Sequence, residues 1–129
     1  MEPGSPRSNR PNGLPANRPK ANRLSGALPL LDRKRLEMAR ALATNPRLLL
    51  LDEIAGGLTE GECAELVETV RAIHKGGRTI VWIEHIVHAL VAVVGRLVVL
   101  NFGRLIAEGD PQAVLASPQV RETYLGSPV

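Results

Sequence analysis

Aliphatic positions recur along this chain with two alternating periods, and the alternation begins abruptly near Leu24. Before that point Pro, Asn, Arg, Ser and Gly dominate. Such a segment cannot bury enough apolar surface to offset its ordering entropy. Residues 1–23 are therefore expected to form a disordered tail and residues 24–129 a folded unit. Within that unit Leu36, Met38, Ala39, Ala41 and Leu42 predict a helix over Asp32–Thr44, which Pro46 stops. Leu48, Leu49, Leu50 and Leu51 then predict a strand, Arg47–Asp52, with the continuous apolar pattern of strands buried on both faces. Thr59, followed three residues later by Glu62, predicts a capping box. Leu66, Val67, Val70 and Ile73 continue that helix as one apolar stripe, ended by Gly76 and Gly77. A β-branched strand over Thr79–Glu84, a helical stretch over Ile86–Val93 and a third strand over Leu97–Asn101 follow. Asn101-Phe102-Gly103-Arg104 predicts a tight turn into a return strand, Leu105–Ala107. Two closing helices are announced by Asp110-Pro111 and Ser117-Pro118, each a capping residue followed by proline. Strand alternating with helix predicts an α/β fold, a parallel sheet with helices on both faces.

Composition narrows the picture. With 129 residues the chain can build one domain with a real core, and aromatics at 2% make that core aliphatic. The single cysteine, Cys63, excludes an internal disulfide and suits a small filler position in a reducing compartment. The net charge of +3 is unevenly placed: up to Gly26, five basic residues face only Glu2, a net +4, leaving −1 for the remainder. The basic character thus belongs to the tail, and nucleic acid is not an expected partner of the domain. Arg33, Lys34 and Arg35 are better explained as a solvated helix face. No stretch reaches the length of a membrane span, and the N-terminus lacks the apolar core of a signal peptide. A soluble cytoplasmic protein is expected.

The candidate chemistry sits at strand ends. Asp52 and Glu53 close the leucine strand, and the carboxyl ends of parallel strands are where open α/β sheets meet their ligands. Nucleotide hydrolysis uses one carboxylate there to hold Mg²⁺, usually through water, and a second to orient the attacking water. Asp52 suits the first role and Glu53 the second, although an isolated acid pair can also cap a following helix. His85 closes the next strand, and His88 stands one helical turn beyond it, a metal-compatible spacing with no third ligand evident.

Several motifs in order resemble those of the ATP-binding-cassette ATPases. Ala39-Arg40-Ala41-Leu42, Asn45-Pro46 and the strand into Asp52-Glu53 are similar to that family's run from signature helix into Walker B. Ala55-Gly56-Gly57-Leu58 resembles its D-loop, and Ile83-Glu84-His85, about thirty residues after Glu53, resembles its switch-histidine segment. Leu36–Ala43, Val98–Gly109 and Val120-Arg121-Glu122-Thr123-Tyr124-Leu125-Gly126 are closest in kind to the branched-chain amino-acid importer branch. The resemblance covers nearly everything from Leu28 to Gly126. It implies part of a P-loop nucleotidase fold, with Glu53 and His85 catalytic and Asp52 binding Mg²⁺ through water. ATP would also be contacted at the signature and at the D-loop residues Gly57 and Leu58. It further implies a dimer with a second ATPase subunit, docked on permease subunits at the inner face of the plasma membrane.

Two departures stand against that implication. No G-x-x-x-x-G-K-[ST] loop occurs, so the backbone N–H groups and lysine that would cradle the phosphates are not supplied, and the family's glutamine loop is missing too. The signature position, counted back from Ala39-Arg40, falls on Leu28-Pro29-Leu30-Leu31-Asp32, while Leu24-Ser25-Gly26 stands at the wrong distance. Leucines replace residues that would allow close backbone approach, and Pro29 removes a hydroxyl and an N–H. The resemblance also places a strand between the segments Thr79–Glu84 and Leu97–Asn101 that this chain does not supply, which would leave apolar edges bare. The expectation is a truncated or mis-started importer ATPase subunit, inactive alone. The alternative is a non-catalytic protein docking with a permease or a full ATPase subunit, and a nucleic-acid role through the basic tail is a third possibility.

Overall fold

The computed structural model describes residues 22–125; the expected tail, residues 1–23, lies almost wholly outside them. After a single 3₁₀ turn at Ser25–Ala27, helix α1 spans Leu30–Leu42, starting two residues earlier than the sequence pattern suggests. Asn45 then adopts a left-handed conformation (φ 51°), and its N–H bonds to the carbonyl of Leu42, so the chain turns before Pro46. Strand β1 (Leu48–Asp52) leads into helix α2 (Glu60–Lys75) and strand β2 (Thr79–Ile83). Helix α3 (Val87–Val91) is shorter than expected. Strands β3 (Leu97–Asn101) and β4 (Arg104–Gly109) form a hairpin, and helices α4 (Pro111–Ala116) and α5 (Pro118–Val120) follow it. Residues Arg121–Leu125 continue as a π-helical turn.

Local chemistry accounts for these boundaries. Thr59 and Glu62 form the reciprocal capping box, with the Glu62 carboxylate accepting from the Thr59 N–H at 2.9 Å. Asp110 caps α4 through the Ala113 N–H at 3.0 Å. The hairpin turn places Phe102 (φ 46°) and Gly103 (φ 74°) both at positive φ, the geometry whose twist matches two paired strands. Between Val99 and Leu100 the register slips, so β4 carries one extra residue and runs longer than the Leu105–Ala107 expected.

The expected parallel sheet is present as one pair. Strands β1 and β2 run parallel, with Leu48 opposite Thr79 and Asp52 opposite Ile83, whereas β3 pairs antiparallel with β4 in a separate sheet. Among the described residues β2 and β3 do not pair.

One expectation is overturned. The four leucines of β1 are not buried on both faces: Leu49 and Leu51 are buried, while Leu48 and Leu50 are exposed. The same holds in β2, where Trp82 is buried and Val81 and Ile83 are exposed. The core lies on one side, built from Leu31 and Met38 of α1, Leu66, Val67 and Val70 of α2, and Ala89 and Leu90 of α3. Arg35 reinforces that side by donating to Glu65 at 3.1 Å across α1 and α2. No described element covers the other face, so helices on both faces are not observed.

Candidate functional site

The site is the carboxyl end of the β1–β2 pair. Because the strands are parallel and in register, Asp52 and Ile83 lie opposite each other, and the residues that follow leave the sheet side by side. The Glu53 N–H donates to the Ile83 carbonyl at 2.9 Å, extending the ladder one residue past β1. Asp52 and Glu53 are both exposed, and neither carboxylate has a partner among the described residues. Two unpartnered hard oxygen donors at a sheet end fit a water-coordinated Mg²⁺, which keeps most of its hydration shell and takes few protein ligands.

Glu53 adopts φ 44°, unusual for a residue with a side chain. A left-handed non-glycine costs on the order of 1–2 kcal/mol. The Glu53–Ile83 bond and the turn closed by Gly56 N–H to the Glu53 carbonyl hold it there. The chain then passes through Ala55, fully buried, and Gly57, at φ 79°. A Cβ at Gly57 would stand 3.0 Å from Leu30 Cδ2, so this turn packs against the first turn of α1. The structure thus brings together two residues expected to contact nucleotide, Gly57 and Leu30. Leu58 is half-buried beside them.

The remaining signature-position residues are placed differently. The expected loop is largely helix: Leu30, Leu31 and Asp32 form the first turn of α1, with Pro29 as a cap that contributes no side-chain bond. Leu31 is buried in the core and Leu28 is half-buried, so neither presents an open backbone as glycines would.

His85 follows β2 and is largely exposed. It precedes α3, so the one-turn spacing with His88 is not realised; His88 lies in a groove between α2 and α3 with Cys63, Glu60 and Arg71. No group of three metal-binding side chains exists among the described residues. Beside His85, Glu84 has a fully buried side chain. One of its carboxylate oxygens accepts from the Ala55 N–H at 3.0 Å and the other from the His85 N–H at 3.1 Å. The His85 ring nitrogen Nδ1 stands 3.2 Å from that second oxygen. Sequence reasoning gave Glu84 no role. The available signal was a carboxylate directly before a strand-end histidine, too common to single out.

Burial pushes the Cys63 thiol above its usual range, and the nearby negative charge of Glu84 adds to the effect. Cys63 is accordingly a buried filler with a protonated thiol. No described helix is long and apolar enough to cross a membrane.

Residues 104–129 match the family described as branched-chain amino acid ATP-binding cassette transporter. Over 107 residues the chain is 37% identical to the high-affinity branched-chain amino acid transport ATP-binding protein LivG of Salmonella typhimurium, covering 82% of this chain and 42% of that protein. Identity to the corresponding protein BraF of Pseudomonas aeruginosa is 37% over 109 residues, with coverage of 82% and 42%. A crystal structure of a nucleotide-free ATP-binding cassette from an ABC transporter superposes with a TM-score of 0.73 at 31% identity, covering 79% of this chain and 42% of that one. The chain thus spans less than half the length of these relatives. The motif order, the strand-end acids and these likenesses agree: the chain belongs to the ATP-binding-cassette transporter ATPases and corresponds to the C-terminal region of their branched-chain amino-acid branch.

Proposed function

We propose that this chain contributes the hydrolytic edge of a transporter ATPase that acts on Mg-ATP, in an importer for branched-chain or similar hydrophobic amino acids. The observation that carries the reading is the convergence of Asp52, Glu53 and His85 at the carboxyl ends of two parallel strands, tied by the Glu53–Ile83 bond. Asp52 would hold Mg²⁺ through water, and the metal would neutralise charge developing on the phosphates. Glu53 orients and polarises the attacking water, and His85 contacts the terminal phosphate. Gly57 and Leu58 form the turn facing a second ATPase subunit.

The phosphate grip must come from elsewhere, because no residue run here has the spacing to cradle phosphates. Alone, this chain is expected to be inactive. The altered signature, helical from Leu30, weakens any contact with nucleotide bound to an opposing subunit. In the assembled importer the subunit would sit on the cytoplasmic side, peripheral to the membrane through permease subunits. The bare apolar face of β1–β2 favours a second reading, a docking protein that joins a permease or a full ATPase subunit without catalysis.

Complementation separates the two. The chain is mixed with a separate polypeptide carrying the phosphate-loop half of a relative, and Mg-dependent ATP turnover is measured for wild type and Glu53→Gln. The ATPase reading expects turnover that Glu53→Gln reduces by at least ~100-fold. Turnover that Glu53→Gln leaves intact rejects the role of Glu53, and tight binding without any turnover favours the docking reading.

A further inference from the structure

We infer that Glu84 is a positioning residue that ties the turn after Glu53 to the loop carrying His85, so that the two loops are held as one unit. Its side chain is fully buried, yet among the described residues it makes no ion pair with a lysine or an arginine. Its charge is answered instead by backbone donors from two loops: Ala55 N–H at 3.0 Å on one oxygen, His85 N–H at 3.1 Å and Ile86 N–H at 3.5 Å on the other. A buried carboxylate is costly unless its oxygens are hydrogen-bonded, and bonds to a charged acceptor are roughly twice as strong as neutral ones. The two loops are 29 residues apart in sequence, and beside this tie the Glu53 N–H donates to the Ile83 carbonyl at the strand end.

Position follows from that pattern. Ala55 is fully buried two residues after Glu53, so fixing its N–H fixes the turn that holds Glu53 at positive φ. The bond to the His85 N–H fixes the backbone of the histidine, and the carboxylate beside Nδ1 limits the orientations of its ring. A neutral Gln at this position keeps the shape but presents one acceptor and one donor. It cannot accept on both sides, and one loop is released.

The structural tie does not depend on the ATPase reading; its catalytic consequence does. Amide hydrogen exchange of the whole chain, resolved by NMR, tests the tie directly. In E84Q, exchange at the Ala55 amide, the His85 amide or both should accelerate by roughly tenfold or more, while Leu66 and Val70 in α2 stay unchanged. If E84Q fails to fold, E84D, which keeps the charge but is too short to span both loops, is read in the same way. Unchanged protection at both loop amides overturns the inference, as does an equal loss at Leu66 and Val70. In the complemented ATPase, E84Q should lower kcat by about tenfold or more with KM for ATP within about twofold. A wild-type mixture with no turnover would reject the ATPase reading and leave the exchange result to decide the tie.

Discussion

Adjacent leucines of β1 should differ sharply in what they contribute to stability. Leu49 is 4% exposed and packs on the helix side; Leu50, the next residue, is 69% exposed on the uncovered side. Truncating Leu49 to Ala removes the outer carbons of a buried side chain, about 2.4 kcal/mol of transfer free energy at ~0.8 kcal/mol per group. The surrounding core relaxes only in part, and the cavity brings the cost to roughly 3 kcal/mol, within the usual 2–5 kcal/mol range. Truncating Leu50 loses only the third of that surface which is covered and leaves no cavity, so about 0.8 kcal/mol or less is expected. Urea unfolding followed by circular dichroism reads the difference. With a slope of about 2 kcal/mol per molar, Leu49→Ala should shift the midpoint by roughly 1.5 M and Leu50→Ala by under ~0.5 M. Equal penalties would refute the one-sided sheet, because they would require Leu50 to be covered. Leu48, Leu50, Val81 and Ile83 together form a contiguous exposed apolar patch on that face.

Three further outcomes follow from local chemistry. The capping box holds the Glu62 carboxyl below its usual range through the Thr59 N–H, so its stabilisation is present at neutral pH and is lost as pH falls below about 4.3. Thr59→Ala should cost about 1 kcal/mol at pH 7, and the thermal midpoint difference from wild type should shrink on acidification. Gly57→Ala should destabilise by at least ~1 kcal/mol, because a Cβ would sit at φ 79° and 3.0 Å from Leu30; a neutral effect in calorimetry would contradict the packing of that turn on α1. Cys63 has a raised pKa, so the folded state holds its proton more tightly than the unfolded chain. Its contribution is complete below about pH 8.5 and is lost as pH rises further. Alkylation of the native protein at pH 8 should therefore be far slower than in urea, and equal rates would place the thiol at the surface.

What the sequence made legible divides by the range of the interaction concerned. The capping box, the tight hairpin turn over Asn101–Arg104 and the Asp110-Pro111 helix start each depend on a few neighbouring residues, and each is found as expected. The start of α1 lies two residues before the Asp32 that the sequence pattern predicts, because Leu30 and Leu31 read as a substituted loop. Once glycine is absent, nothing prevents helix from extending back to the residue after Pro29, and proline suits a helix start. Burial of β1 also differs, on one face where the leucine run predicts two. A run of leucines fits two covered faces, but composition cannot report whether a second layer is present. Asp52, Glu53 and His85 are legible in the sequence as strand-end residues in motif order, and the strand register puts the ends of β1 and β2 side by side. Glu84 was not identified, because its partners are backbone N–H groups of a loop 29 residues away, and no local pattern encodes such a contact.

The bare face and the candidate site are parts of one surface. Side chains alternate along a strand, so Leu48, Leu50 and Asp52 project from the same side of β1, with Thr79, Val81 and Ile83 in register beside them on β2. That side is the uncovered one. Any polypeptide that packs on Leu50 and Val81 therefore runs up to the Asp52 carboxylate within one more strand repeat, roughly 7 Å. Cover for the sheet and access to Asp52, the acid proposed to hold Mg²⁺, are thus not independent requirements. The Glu53–Ile83 and Glu84–Ala55 bonds hold the other half of the site from the core side, where packing is complete. Complementation should then restore two properties together. A partner that seats correctly should raise the penalty of Leu50→Ala toward that of Leu49→Ala, and the same partner should be the one that permits turnover. A partner that covers the face without supporting turnover, or supports turnover while Leu50→Ala remains cheap, would separate what the strand geometry joins.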